Sequence, residues 1–407
     1  MKIMKLKYVI ASFAFAAALA GCQEAAEYTP SIYITEAQKE PAKIVTIYNA
    51  GEKAEFSVSA SKIVDKDTHV TVQVCPELLE EYNTTYGRTC VLLDGDLYDF
   101  AKKEVTIKAG TNVSDAGEIV VKEVLEPGTF YCLPLRITQT DGNMPVLAPS
   151  STLYIVFRAP VHGRGVYIGS GNKYIVPGFY DQKGQDVERD LSALPELTLE
   201  CRVYANDFTK SDPYISSIMG LEGNVCMRFG DVKIGYDVLQ ICKGDYQPAA
   251  INSPCATKQW YHVAGVWTRN SLRVFIDGKF ITETRTKGET VDISQVQLWN
   301  GSGIGFGLGC ASNYNGNRPL NGYLAEARVW TRALSTSEIA NVKDLVIVDP
   351  NSPDLLAYWK MDESESVSDY RESYSRWNLR NKIVDQTGHG YDAYGLSASP
   401  QFLDATW

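Results

Sequence analysis

The stretch Trp260–Gly278 (Trp-Tyr-His-Val-Ala-Gly-Val-Trp-Thr-Arg-Asn-Ser-Leu-Arg-Val-Phe-Ile-Asp-Gly) constrains the fold more than any other part of the chain. Val263, Gly265 and Trp267 alternate with their neighbours before a polar turn at Thr268–Ser271. Leu272, Val274 and Ile276 alternate after it. A period of two on both sides of a short turn predicts a β-hairpin with one face in a core. Asp277-Gly278 is a turn pair that predicts a second hairpin into Lys279–Thr284. From about Gly165 onward the chain reads as strands stacked around this element.

The amino terminus reads differently. Lys2, Lys5 and Lys7 precede an apolar run from Tyr8 to Leu19, followed by Leu19-Ala20-Gly21-Cys22. A basic start, a short apolar run and small residues before a cut predict a secretory signal. The run is short of the roughly 20 residues that span a bilayer. The Leu-Ala-Gly-Cys box resembles a bacterial lipoprotein signal, which implies that Cys22 is acylated and becomes the new amino terminus. The acidic residues Glu24 and Glu27 just after it resemble the signal that exports Bacteroidetes lipoproteins to the outside of the outer membrane. Residues 1–21 are then the signal and 22–30 a lipid-anchored linker.

The remaining length suggests two domains. The net charge is −10 with no basic cluster, which argues against a nucleic-acid partner. The eight cysteines other than Cys22 are scattered without C-x-x-C spacing, which disfavours zinc and thiol-redox sites. Several sit in apolar strands, such as Cys201 and Cys226, and most are expected to be free, buried small hydrophobes.

Residues 31–160 carry short alternating runs (Ile32–Ile34, Val70–Val74, Val105–Ile107, Glu118–Val124, Leu133–Ile137, Leu153–Phe157) separated by Gly, Asn or Asp turns. These predict an all-β sandwich, with one helix-like exception at Pro76–Tyr86. The segments Cys75–Asn83, Lys103–Thr111 and Thr129–Ile137 together resemble the DUF1735 domain, above all in Ile-x-Ala-Gly and Tyr-x-Leu-Pro-x-x-Ile. The resemblance implies an immunoglobulin-like spacer or adhesin-like module at the amino end of a surface lipoprotein, without catalysis. Asp94, Asp96 and Asp99 cluster as calcium ligands do but lack the full twelve-residue loop, so they read first as a solvated turn and no cofactor is expected, with calcium at this turn as the alternative.

Residues 165–407 carry further predicted strands, of which Leu197–Tyr204 is the clearest: Leu197, Leu199, Cys201 and Val203 on one face, Thr198, Glu200, Arg202 and Tyr204 on the other. Ala333–Val342 reads as a helix with a Ser335/Glu338 capping box. Trp260–Ala264, Val274–Lys279, Leu320–Ser335 and the closing Leu356–Met361 and Asp385–Gly390 resemble the LamG group of concanavalin A-like jelly rolls. The fold class read here is therefore all-β, an immunoglobulin-like sandwich followed by a concanavalin A-like jelly roll. That fold hosts lectins, glucanases and protein-binding modules alike.

Glucanases on this scaffold need two carboxylates flanking the bond, and the tight Glu-x-Asp-x-x-Glu strand that supplies them in one large family is missing. His69, His162, His262 and His389 have no ligand or nucleophile context, and His262 belongs to a motif in which it is a packed residue. Sugar binding calls for flat aromatic faces with amides and charged groups beside them. Three loops offer that mix: Trp299 with Asn300, then Tyr314, Asn315, Asn317 and Arg318, then Tyr374 with Trp377. Tyr246 is a fourth candidate. Trp260, Trp267, Trp330 and Trp359 lie in strands and read as core. Arg228 and Asp231 either orient a ligand or form a strand-end ion pair.

The chain is accordingly expected to be a non-catalytic, surface-anchored lipoprotein that captures a host or dietary glycan for a polysaccharide-utilisation system. Its expected partners are glycan, a membrane through the lipid anchor, an outer-membrane transporter and glycosidases. The rival readings are an adhesin or assembly protein that binds a protein, and a glycoside hydrolase.

Overall fold

The computed structural model describes residues 29–141, 144–180, 190–299, 302–311, 318–371, 373–375 and 377–407. Cys22 and the expected signal lie outside them. No described helix is long and apolar enough to cross a membrane.

The first part of the chain is a sandwich. Thr152–Arg158 pairs antiparallel with Tyr131–Thr140 and parallel with Ala42–Thr46. Thr68–Val74 and Glu104–Ile107 extend this sheet. A smaller sheet of Lys53–Phe56, Gly117–Val121 and Tyr98–Lys102 packs against it through a shared core that includes Phe56, Val72, Ile119, Leu133 and Ile155. The expected helix forms at Leu79–Tyr86, after a 3-10 turn begun by Pro76. It covers the outside of the larger sheet, with Tyr82 stacked on Tyr154 at 4.4 Å. In the acidic turn, the Asp94 carboxylate caps a short 3-10 turn by accepting from the Asp96 N–H at 2.8 Å.

The second part is two packed sheets. The first runs, in order, Lys279–Arg285, Ser271–Ile276, Trp260–Trp267, Leu197–Asp207, Asn321–Trp330, His162–Ile168 and Phe402–Thr406, with Leu355–Trp359 also pairing to Asn321–Trp330. The second runs Ile234–Lys243, Val225–Asp231, Ser216–Leu221, Gly307–Leu308, Tyr174–Ile175, Ala393–Gly395, Leu379–Ile383 and Glu365–Tyr370. The hairpin pairs in the register its alternation predicts: Val263 opposite Ile276, Gly265 opposite Val274, Trp267 opposite Leu272. Those residues other than Gly265 join Leu199, Val203, Met227, Phe229 and Ile241 in the core between the sheets. A Cβ on Gly265 would lie 3.0 Å from the Ile241 side chain, so the glycine is what lets the sheets close here. Trp267, Trp330 and Trp359 are buried, while Trp260 is half-buried on the outer side against Trp407.

The outer face of the first sheet is also buried. The helix Thr336–Leu345 starts on the expected capping box, with Glu338 N–H donating to Ser335 Oγ and Ser335 N–H to the Glu338 carboxylate. It places Ile339 over Ala264, Val266, Phe275 and Tyr358. Beneath it lies an ionic network. The Glu200 carboxylate accepts from His262 Nε2 at 2.9 Å and Trp330 Nε1 at 2.8 Å, and Arg328 stands 3.5 Å away. Arg328 also donates to the Val346 carbonyl and to Glu326, and Arg202 to the Lys343 carbonyl. These guanidiniums satisfy carbonyls at the carboxyl end of the helix, where positive charge is favoured. Arg158, from the first sandwich, reaches the neighbouring Asp344 carbonyl at 3.1 Å, and Arg88 pairs with Asp344 at 3.5 Å. One helix end therefore ties together residues from both sandwiches.

Candidate functional site

The outer face of the second sheet is built by the same alternation, but among the described residues no such helix lies over its Val225–Asp231 and Ile234–Lys243 end. Val225, Met227 and Phe229 point into the core, so Cys226 and Arg228 point outward. On the neighbouring strand Leu239 and Ile241 point inward, so Gln240 and Cys242 point outward. The register sets Arg228 opposite Gln240 and Cys226 opposite Cys242.

Arg228 is 5% exposed, so each of its N–H groups needs a partner. Nε and one terminal nitrogen donate to Gln240 Oε1 at 3.0 and 2.9 Å. One terminal nitrogen donates to Glu222 at 2.9 Å and the other to Asp231 at 2.5 Å. Burial opposes its charge, but Cys242, Cys226, Asp231 and Glu222 outweigh burial, and its pKa lies above the ordinary value. Glu222 also accepts from Arg318. The result is a charged cluster of two guanidiniums, two carboxylates and an amide.

This cluster borders a cavity of about 400 Å³ lined by Pro213, Ile215, Glu222, Gly223, Arg228, Asp231, Val232, Cys242, Gly244, Gln247 and Arg318. Arg318 also lines a second cavity of about 330 Å³, together with Tyr167, Ser170, Thr209, Ser211 and Asn321. It therefore stands between the two. Its backbone is left-handed (φ 49°) and its carbonyl accepts from the Ser217 N–H at 2.9 Å. Such a conformation costs an arginine on the order of 1 kcal/mol and is held by its surroundings. Gly230 shapes the wall: at φ +74°, a Cβ there would fall 2.0 Å from the Tyr214 carbonyl oxygen. Glycine is thus required for the Pro213–Ile215 segment to close on the strand pair.

A larger hollow of about 610 Å³ lies at the edge of the first sheet, between His162, Arg164, Asp362 and Asp404. Its charged side chains are exposed or half-buried, none being held in place as Arg228 is.

The expected site residues divide. Arg318 is in the cluster. Tyr246 is not: its ring lies against Trp267 at 5.8 Å and supports the core, while its neighbours Gly244 and Gln247 line the cavity. Trp299 ends the first strand of a small hairpin, Gln297–Trp299 with Ser302–Ile304. Tyr374 is exposed, with its ring edge-on to Tyr180 at 5.8 Å and its carbonyl accepting from the Gly303 N–H of that hairpin. Trp377 is half-buried, with Lys173 Nζ 5.3 Å from its ring, and packs on the cluster of Ile175, Leu221, Ile304 and Leu379. Tyr374 and Trp377 thus belong to a patch beside the cavity and do not line it. Asn300, Tyr314, Asn315 and Asn317 lie outside the described residues. Gln247 belongs to the fourth candidate loop, Gly244–Gln247, whereas Glu222 and Gln240 had not been singled out. Gln240 carries a readable signal, a polar residue at the outward position of the apolar run Val238–Cys242, whereas Glu222 sits in a turn and carries none.

Residues 28–144 match the model of an N-terminal domain family, and residues 184–340 match that of the concanavalin A-like lectin/glucanases superfamily. A candidate carbohydrate-binding protein from Bacteroides ovatus shares the fold, at 20% identity and a TM-score of 0.50, over 92% of this chain and 97% of its own. A pentraxin from Limulus polyphemus matches 46% of this chain and 85% of its own, at 16% identity and a TM-score of 0.30. No curated protein matches in sequence.

Proposed function

We propose that this chain, whose second sandwich is a concanavalin A-like domain, is a non-catalytic glycan-binding lipoprotein of the bacterial surface. Cys22 would carry the lipid, residues 31–160 would act as a spacer, and residues 165–407 would hold the sugar. It would keep glycan near glycosidases and an outer-membrane transporter of a polysaccharide-utilisation system.

The observation that carries the binding reading is the Arg228 cluster at the cavity. Sugars are recognised through hydroxyls that donate and accept at once. Guanidiniums, carboxylates and amides fixed in position meet that need with little ordering cost. The Bacteroides ovatus protein of the same fold, named as a candidate carbohydrate binder, is consistent with it. Two carboxylates, Glu222 and Asp231, do share the cavity. Both are engaged by Arg228, whereas a glycosidase needs one carboxyl free to protonate the leaving group. For a protein-binding role, the edge strand Lys279–Arg285 is ill suited to strand addition, because Lys279, Glu283 and Arg285 guard it.

A glycan array probed with the full chain tests the reading. Binding to at least one glycan class, lost in Arg228→Ala, is expected. No binding anywhere on a broad array overturns it, and release of sugar on incubation replaces it with hydrolysis.

A further inference from the structure

Cys226 and Cys242 are directly opposite each other on adjacent antiparallel strands. Both point to the outer face, at 1% and 6% exposure, and pack together with Ala311. None of the other described cysteines has a cysteine as its strand partner. Opposed residues of an antiparallel pair have Cα atoms about 4.5–5.5 Å apart, inside the roughly 4.4–6.8 Å that a disulfide spans. The next rung of the same ladder is Arg228 opposite Gln240. Ile234–Lys243 is also the last strand of its sheet, bridged on its far side only by the Tyr246–Ala250 segment that folds back on it, and the cavity-lining Gly244 and Gln247 lie in that return.

We propose that Cys226 and Cys242, free thiols in this structure, are a modification site. They form a cross-strand disulfide that staples this last strand beneath the Arg228 cluster. The oxidant is another disulfide, of a protein or of a small thiol. The thiolate of Cys242, the partner that lines the cavity, attacks it and expels one thiol, giving a mixed disulfide. The thiolate of Cys226 then attacks the Cys242 sulfur and expels the second. In sum, two cysteine thiols and one disulfide become one protein disulfide and two released thiols. Both groups are buried once the sheet has formed, so the exchange belongs to folding in an oxidising medium.

The test compares the full chain made in a disulfide-forming compartment with the same chain made in a reducing cytoplasm. The oxidised form is expected to be about 2 Da lighter and to yield a peptide pair joining Cys226 to Cys242. Its Tm should exceed that of the reduced form by roughly 5 °C or more. In Cys242→Ala the difference should vanish. Full alkylation of both cysteines in the chain from the oxidising compartment, denatured without reductant, overturns the proposal, as does a joined pair other than these two. The mass measurement needs no variant and does not depend on whether glycan binds.

Discussion

The two sheets of the second sandwich each carry an arginine-centred cluster on the face turned away from the core. Under the helix Thr336–Leu345, Arg328 joins Glu200 and Glu326, with His262 and Tyr358 beside them. On the other sheet, Arg228 joins Glu222, Asp231 and Gln240, with Arg318 alongside. The residue types are much alike and both arginines are nearly buried. What differs is the cover. The first cluster is closed by a helix and by the carbonyls of Lys343 and Val346, the second opens into a cavity. Enclosed charges can only satisfy one another and the backbone. Charges at a cavity wall are equally well held but can exchange water for ligand.

The largest effect should come from breaking the enclosed cluster. Arg328→Met leaves Glu200 and Glu326 buried without their counter-ion. It should lower unfolding stability by about 3–5 kcal/mol, read from the urea midpoint. Arg228→Met leaves carboxylates that border a cavity and can be hydrated, so its cost should be nearer 1–2 kcal/mol. It should weaken glycan binding at least about 100-fold by isothermal titration. Equal stability costs with unchanged binding would erase the distinction between the two clusters.

Little of that distinction is legible in the sequence. Along Leu197–Tyr204 the alternation separates Leu197, Leu199, Cys201 and Val203 from Thr198, Glu200 and Arg202 correctly, since strand geometry enforces a period of two. Such a pattern normally means a solvated second face, yet Glu200 is fully buried. The burial comes from a helix more than a hundred residues later, which no local pattern reports. The hairpin, the capping box and the buried Trp267, Trp330 and Trp359 were readable because each is a local or periodic device, whereas Trp260, expected in the core, faces outward against Trp407. The cavity was only partly so. Arg228 and Arg318 stand out as polar residues in or beside apolar strands, but Glu222 reaches them from a turn. Tyr246 and Trp377, candidate platforms by composition, are half-buried, one against Trp267 and the other beneath Lys173.

Acid should separate the clusters next. Burial, opposed by Glu200, holds His262 below its ordinary pKa, so the folded imidazole stays neutral. The unfolded chain takes up that proton below about pH 6.5. The contribution of His262 is therefore complete above that pH and is lost on acidification, by about 1 kcal/mol per pH unit. Glu200 acts in the same direction at lower pH. Burial raises its pKa, but Arg328, His262 and Trp330 outweigh burial and bring it below the ordinary value. Glu326, raised by burial, works the other way. Urea midpoints between pH 7 and 5 should fall in the wild type and flatten in His262→Gln. A slope that survives the substitution assigns the effect elsewhere.

The smallest effects concern the rim of the cavity. Arg318→Ala removes one of the two donors that Glu222 receives from arginine, but Arg228 keeps that carboxylate paired. It also relieves none of the backbone strain at φ 49°, since alanine is no freer there than arginine. Stability should move by less than about 1 kcal/mol, while glycan affinity falls about tenfold if the side chain contacts sugar. Tyr374→Ala, on the neighbouring patch, should change affinity less than about twofold for a ligand confined to the cavity. A larger loss there would mean that the ligand extends from the Arg228 cluster toward the hairpin at Trp299. The binding face would then be the whole outer surface of the second sheet, with a bound chain several sugars long.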